Sequence, residues 1–165
     1  MKRITSVILA IALIFALAVT AMAAEIADCT VSADSVSATA GGTVTVPIRI
    51  SGNRGFTNFG IALDYDREQL ELLSIQTAEG ETPYLCGTTV AVNTQWTGTD
   101  EKTFGYVTAA LEEAATANGI LFTATFRVSG DFSGTAAVQP VVQYMRSNKR
   151  LLSVFDAIPV TTVSG

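Results

Sequence analysis

From residue 29 onward, apolar and polar positions alternate with a period of two over short runs separated by turn-forming residues, a pattern that predicts β-strands. In residues 43–50 (TVTVPIRI), Val44, Val46, Ile48 and Ile50 share one face, with Thr43, Thr45 and Arg49 on the other. Gly41-Gly42 before this run and Ser51-Gly52-Asn53 after it are turn punctuation. Pro47 lacks a donor for a sheet ladder, which predicts an edge position for this strand. In residues 58–65, Phe59, Ile61, Leu63 and Tyr65 form the predicted core face. The other face holds Asn58, Gly60, Ala62 and Asp64, a flat surface of mostly small residues on which another protein can lie.

Residues 66–70 predict a short helical turn that leads into a strand over 70–75, and Gly80, Pro83 and Gly87 mark a long loop over 77–87. Strands are predicted over 90–96 and 103–111, followed by an alanine-rich polar connection at 112–118, too short for more than a turn or two of helix. Residues 119–128 (GILFTATFRV) place Ile120, Phe122, Ala124, Phe126 and Val128 on one face. Two last strands, 136–145 and 151–163, flank a polar tip at 146–150. About nine short strands without a long helical period predict a single all-β domain, a nine-stranded β-sandwich.

The first 23 residues follow another rule. Lys2 and Arg3 precede an apolar run from Val7 to Val19 and the small-residue ending Ala21-Met22-Ala23, the layout of a secretory signal peptide. The run is shorter than the roughly 20 residues that span a bilayer. The expected organisation is a signal peptide over 1–23 and one module over 24–165, secreted to the exterior or the cell surface, with no membrane insertion after cleavage. Without Lys2 and Arg3 the module has eight basic and fifteen acidic side chains, a net charge of −7. It offers no basic patch for phosphates, which argues against nucleic acid as a partner.

An oxidising destination permits a disulfide between the two cysteines, Cys29 and Cys86, worth about 4 kcal/mol in the chain-entropy model. Spacing alone does not bring them together, so paired and free states both stay open. Ile26-Ala27-Asp28-Cys29 loosely matches a lipid-attachment site, but Asp28 and the upstream end of the apolar run fit it badly.

The chain contains no histidine, which excludes Ser-His-Asp and Cys-His nucleophiles and His-ligated zinc. Asp64, Asp66, Glu68, Glu112 and Glu113 could serve acid/base chemistry or Ca²⁺, but a glycosidase needs two carboxyls across a cleft and short-looped sandwiches offer little cleft. These carboxylates read as solvated surface groups, and no enzyme activity is expected. Trp96, Tyr84 and Tyr106 are candidates for stacking on sugar rings, but they form no obvious stripe in the sequence, and core or loop packing is the simpler expectation for Trp96.

Three segments resemble the cohesin family, the modules of cellulosomal scaffoldins that capture dockerin domains. They are residues 40–48 (AGGTVTVPI), 59–73 and 119–128, in the family's order and spanning most of the module. The resemblance implies a jelly-roll sandwich that binds a dockerin-containing protein on the sheet of its eighth, third, sixth and fifth strands. Ca²⁺ is expected on the dockerin and no cofactor on this chain. Such a module gathers polysaccharide-degrading enzymes on a scaffold or cell surface, meeting polysaccharide only indirectly.

Asn58 matches a frequent contact asparagine, whereas Gly60 stands where many type I members carry an aspartate. On the sixth strand, alternation gives Gly105, Val107, Ala109 and Leu111 as the outward set, followed by Glu112. Around the turn between the eighth and ninth strands, where many members are acidic, this chain has Arg146, Asn148, Lys149 and Arg150. The implied partner-binding set is thus Asn58, Gly60, Ala62, Val107, Ala109, Leu111, Glu112, Asn148, Lys149 and Arg150. Two alternatives fit the same residues: ordinary strand packing for the apolar positions, and a turn-capping role for Asn58. At the level of function, a carbohydrate-binding module and a structural or adhesive extracellular domain are the rivals.

Overall fold

Alternation becomes strand wherever one face can be buried, and ten such strands are found among the described residues. The computed structural model describes residues 29–77, 85, 90–99 and 101–147, with the backbone of 156–157 and 160–163. In chain order the strands are β1 (Cys29–Ala33), β2 (Thr43–Ser51), β3 (Phe56–Tyr65), β4 (Leu70–Gln76) and β5 (Val90–Thr97), then β6 (Thr103–Ala115), β7 (Gly119–Val128), β8 (Val138–Ser147), β9 (Asp156–Ala157) and β10 (Val160–Val163).

The strands form two five-stranded sheets, β10-β1-β2-β7-β4 and β5-β6-β3-β8-β9, which give the all-β sandwich. Every pairing is antiparallel except β1 with β10, which run parallel. The run expected as one strand over 151–163 instead yields two short strands, one on each sheet.

The core lies between the sheets. Phe56, Phe59, Ile61 and Leu63 of β3 face Ile48, Ile50, Phe122 and Phe126 of the opposite sheet, all fully or almost fully buried. Burying each such side chain stabilises by about 1.5–3 kcal/mol. Tyr65 links the layers, its ring edge-on to Phe104 at 5.5 Å and to Phe126 at 5.0 Å.

Pro47 corrects one expectation. β2 is flanked by β1 and β7, so Pro47 is not on an edge strand. The carbonyl of Pro47 accepts a bond from the Asp34 N–H at 2.9 Å, and in an antiparallel strand N and O of one residue point the same way. Its donorless nitrogen therefore points to the side where β1 has just ended at Ala33, a local edge within an interior strand.

The turns follow local chemistry. Asp66 caps the predicted helical turn, its Oδ1 accepting from Glu68 N–H at 2.8 Å and its carbonyl from Leu70 N–H at 2.9 Å. Asn53 ties the β2–β3 turn to the β6–β7 turn by donating from Nδ2 to the carbonyls of Ala115 (2.9 Å) and Ala117 (2.7 Å).

β6 runs on to Ala115, where a polar connection was expected, and its phase shifts on the way. Gly105, at φ +61°, is an extra residue between the Leu63–Phe104 and Ala62–Tyr106 pairs, a glycine-centred bulge. A second irregularity on β8, between the pairs Gly60–Tyr144 and Ile61–Val142, inserts Gln143.

Candidate functional site

The outer faces of the two sheets differ in chemistry. On the β2-β7-β4 side the exposed groups pair with one another: Thr45 with Thr125 (3.0 Å), Arg127 with Glu71 (3.0 Å) and, towards β1, Arg49 with Asp34 (2.7 Å). On the β5-β6-β3-β8 side, three aromatic rings gather at the centre. Trp96 of β5 packs on Tyr106 of β6 with centroids 5.1 Å apart and planes tilted by 35°. Tyr144 reaches in from β8, its hydroxyl 2.7 Å from that of Thr108.

Gly60 of β3 makes this gathering possible. A Cβ at Gly60 would collide with the Tyr106 hydroxyl and lie 2.5 Å from Cε1 of Tyr144, so the two tyrosines occupy the space a side chain would take. Gly60 and Ala62 are on the outer face as expected, but beneath this aromatic layer rather than at the surface: Ala62 is 0% exposed. Arg146 lies over the outer end of the layer, its guanidinium carbon 5.3 Å from the Tyr144 ring centre.

The other predicted residues divide three ways. Asn58 stands on the same face, opposite Ala110 and Arg146, in strand rather than turn; the turn cap is Asn53, whose Oδ1 accepts from Gly55 N–H at 3.0 Å. The Asn58 Oδ1 atom is sealed from solvent and accepts no bond, one of two such buried atoms among the described residues, with Thr123 Oγ1. Glu112 is exposed.

Val107 and Ala109 do not belong to the face: they are 0% and 2% exposed and sit in the core, and Leu111 packs half-buried against that core. The cause is the bulge at Gly105, since a one-residue slip sends every later side chain to the opposite face. Tyr106, Thr108 and Ala110 therefore point outward. Asn148, Lys149 and Arg150 lie outside the described residues. So does Cys86, while Cys29 is a free, buried thiol with Sγ 4.0 Å from Met145 Sδ.

Sequence reasoning thus missed Thr108, Ala110 and Tyr144, named Arg146 in the basic turn without including it in the contact set, and placed Trp96 in core or loop packing when it joins the outer aromatic layer half-buried. The available signal was Gly105 itself, since an isolated glycine inside a strand pattern marks a bulge.

Two tyrosine hydroxyls, those of Tyr106 and Tyr65, resist ionisation. Burial, and then the neighbouring Tyr144 hydroxyl, push Tyr106 up to about 12. Burial likewise raises Tyr65. A raised folded-state pKa contributes stability in full below the unfolded value, near 10, and loses it as pH climbs through the folded value. The urea midpoint is therefore expected to fall between pH 10 and pH 12, and Tyr106→Phe to fall less steeply, with Tyr65 supplying the remainder. An equally steep decline in the phenylalanine variant would place the alkaline loss elsewhere.

Among the described residues no cluster of three or more histidine, cysteine or carboxylate side chains could hold a metal ion. What the face offers is area: an open sheet surface with an aromatic centre, hydroxyl groups, and charges at its end.

Comparison with known proteins gives this arrangement its relatives. A family model described as the cohesin domain matches residues 29–150. The seventh ScaB type I cohesin of Pseudobacteroides cellulosolvens superposes with a TM-score of 0.64 at 18% identity, over 83% of this chain and 90% of its own. A non-cellulosomal cohesin of the archaeon Archaeoglobus fulgidus gives 0.61 at 19% identity, over 84% and 88%. A Clostridium thermocellum cohesin, OlpA, solved in complex with a dockerin, gives 0.61 at 13% identity, over 83% and 96%. No curated protein sequence matches the chain. By its fold and by the match across residues 29–150, the chain belongs to the cohesin domain family.

Proposed function

We propose that this chain is a secreted, non-catalytic binding module that captures a dockerin-bearing protein on the outer face of the β5-β6-β3-β8 sheet. Family membership supports the partner class, as do related cohesins solved with dockerins from Clostridium thermocellum and Acetivibrio cellulolyticus. The observation that carries the choice of face is the contrast between the sheets. The β2-β7-β4 side uses its polar groups on one another, while the β5-β6-β3-β8 side presents Trp96, Tyr106 and Tyr144 with no described strand lying across them. Tryptophan and tyrosine are the residue types that concentrate binding energy in protein interfaces.

The contact set that follows is Asn58, Trp96, Tyr106, Thr108, Ala110, Glu112, Tyr144 and Arg146. Asn148, Lys149 and Arg150 extend it in sequence, and the charges of Lys149 and Arg150 would bear on the choice of partner. Residues 1–23 are removed on export. Calcium belongs to the dockerin and this chain holds no cofactor. Bound enzymes, rather than this module, act on polysaccharide.

The test is capture from the source organism's culture fluid, with proteins identified by mass spectrometry, with and without a calcium chelator. Dockerin-bearing proteins are expected to be retained, released by the chelator, and lost by at least about 100-fold with Ala110→Arg, the loss of a centrally placed contact. Retention that ignores both the chelator and Ala110→Arg would sink the proposal.

The gathering of three rings also favours a second reading, carbohydrate binding. Against it, Trp96 and Tyr106 are tilted and lie against each other instead of forming one flat platform. Retardation in gels containing soluble cellulose or xylan, abolished by Trp96→Ala, would establish it.

A further inference from the structure

A cavity of about 380 Å³ opens between the two sheets at the end of the sandwich where β1 finishes and β8 starts. Its floor is the end of the core, formed by Val44, Val46, Leu70, Val128 and Val138, and Phe132 makes one wall. Roughly 150 Å³ already holds a benzene-sized molecule, so this space takes two aliphatic side chains together. It lies between the sheets, apart from the outer face of β5-β6-β3-β8.

The rim of the cavity offers main chain. Residues 34–39 run on from β1 without a turn or bend, and residues 135–137 lead straight into β8. Asp34 to Ala38 line one side of the mouth, and Thr135 and Ala136 line the other. Among the described residues, no backbone group of 35–38 or 135–136 takes part in a hydrogen bond, and neither do the hydroxyls of Ser35, Ser37 and Thr135. Val36 stands at this rim 44% exposed, an apolar side chain that a bound segment would cover. Lower in the same seam a strand already occupies the equivalent place: β10 lies parallel to β1 as far as the Ser32–Val163 pair, close to β8. A strand on the line beyond Val163 runs beside residues 34–38. Ser164 and Gly165, which follow in the sequence, bring no apolar side chain for the cavity floor.

An open main-chain edge beside a side-chain pocket is the arrangement that takes up an extended peptide, with backbone bonds giving affinity and the pocket giving specificity. Side chains two positions apart in such a peptide share one face, so two of them enter one cavity. Charge sets a further condition. The Asp34 carboxylate lies at the mouth with its side chain 32% exposed, and the chain carries a formal net charge of −5, which together repel an acidic segment. We infer that this end of the sandwich binds an extended, non-acidic peptide segment of a partner protein, which pairs with the main chain of residues 35–38 and seats aliphatic side chains from positions i and i+2 in the cavity.

Titration of short peptides into the nitrogen-15-labelled full chain, followed by amide chemical shifts, tests this. The probe is acetyl-KVTVK-amide, whose two valines share a face. Its shifts are expected to gather at residues 34–38, 44–46 and 132–138. The KSTSK peptide, without the valines, is expected to bind at least about tenfold more weakly. The EVTVE peptide is expected to bind at least about threefold more weakly at low salt, with the gap closing in roughly 0.5 M salt. Ala136→Trp fills the cavity and is expected to weaken KVTVK at least about tenfold. Val36→Pro and Ser37→Pro, made separately, each remove one main-chain donor that no bond of the fold uses. Neighbouring residues of a ladder point their N–H groups to opposite sides, so one of the two variants is expected to lose at least about fivefold in affinity and the other much less.

Circular dichroism checks the fold of each variant, and Thr135→Trp, at an exposed position of the mouth, replaces Ala136→Trp if the latter does not fold. An absence of shifts at saturating peptide, or shifts centred on Trp96 and Tyr106, overturns the inference. Equal binding of KVTVK and KSTSK removes the cavity from it, and two proline variants that bind like the parent remove the main-chain pairing; either result overturns it. Binding of EVTVE as tight as KVTVK at low salt overturns the exclusion of acidic segments. Dockerin capture stands or falls separately, because no residue of this site belongs to the face proposed for it.

Discussion

Ala109→Arg is expected to unfold the protein, or nearly so, while Ala110→Arg leaves its stability within about 0.5 kcal/mol of the parent. Ala109 is 2% exposed and belongs to the core, whereas Ala110, its immediate neighbour, points to solvent. A guanidinium forced into the core has no carboxylate to meet, and an uncompensated buried charge costs about 3–5 kcal/mol. Overpacking adds about 1–3 kcal/mol. Against a total stability of about 5–15 kcal/mol, the sum removes most or all of the native population. Urea unfolding followed by circular dichroism reads both variants. The reverse ranking would mean that β6 runs in the opposite phase after Gly105. The pair also separates fold from function, since only Ala110→Arg should leave a folded module that has lost its partner.

Gly105→Ala is the second large effect, expected at about 2–5 kcal/mol. Gly105 has φ +61°, a left-handed conformation that costs an ordinary residue about 1–2 kcal/mol. Its Cβ would also lie 2.6 Å from Cδ2 of Leu72, and relieving that contact disturbs packing at about 1–3 kcal/mol. The second outcome to measure is binding. If the bulge is what turns Tyr106 outward, the residual folded fraction should show an altered Trp96 emission spectrum, because Trp96 rests on Tyr106. A variant as stable as the parent, with unchanged emission, would remove the bulge from the account of the site.

How much of this was legible in the sequence depended on whether each strand kept its phase. From Phe59 onward β3, and with it the core half of β7, alternates without interruption, and Phe59, Ile61, Leu63, Phe122 and Phe126 fall where the pattern puts them. β6 begins with Phe104 inward, gains one residue at Gly105, and continues with Val107 and Ala109 inward. Strict alternation from Gly105 therefore selected the buried half of the strand as the binding face.

The inserted Gln143 hid Tyr144 in the same way. Pro47 misled for a different reason, since proline reports a missing donor at one residue and not the position of the whole strand. The choice between the two outer faces was beyond the sequence because it depends on cross-strand neighbours. Thr45 meeting Thr125, or Tyr106 meeting Tyr144 over Gly60, are pairings between residues 80 and 38 positions apart.

The parallel pairing of β1 with β10 bears on the order of events during folding. Cys29 lies beside Val160 and Ser32 beside Val163, so the first and last strands close a ring of almost the whole module. Bringing together chain positions about 130 residues apart carries a loop-closure entropy of ~4 kcal/mol when the intervening chain is unstructured. That cost shrinks once β2, β7 and the second sheet have formed, which makes the β1–β10 pairing a late step. Until residue 163 is available, β1 keeps one open edge, and the chain stays short of its finished, compact form.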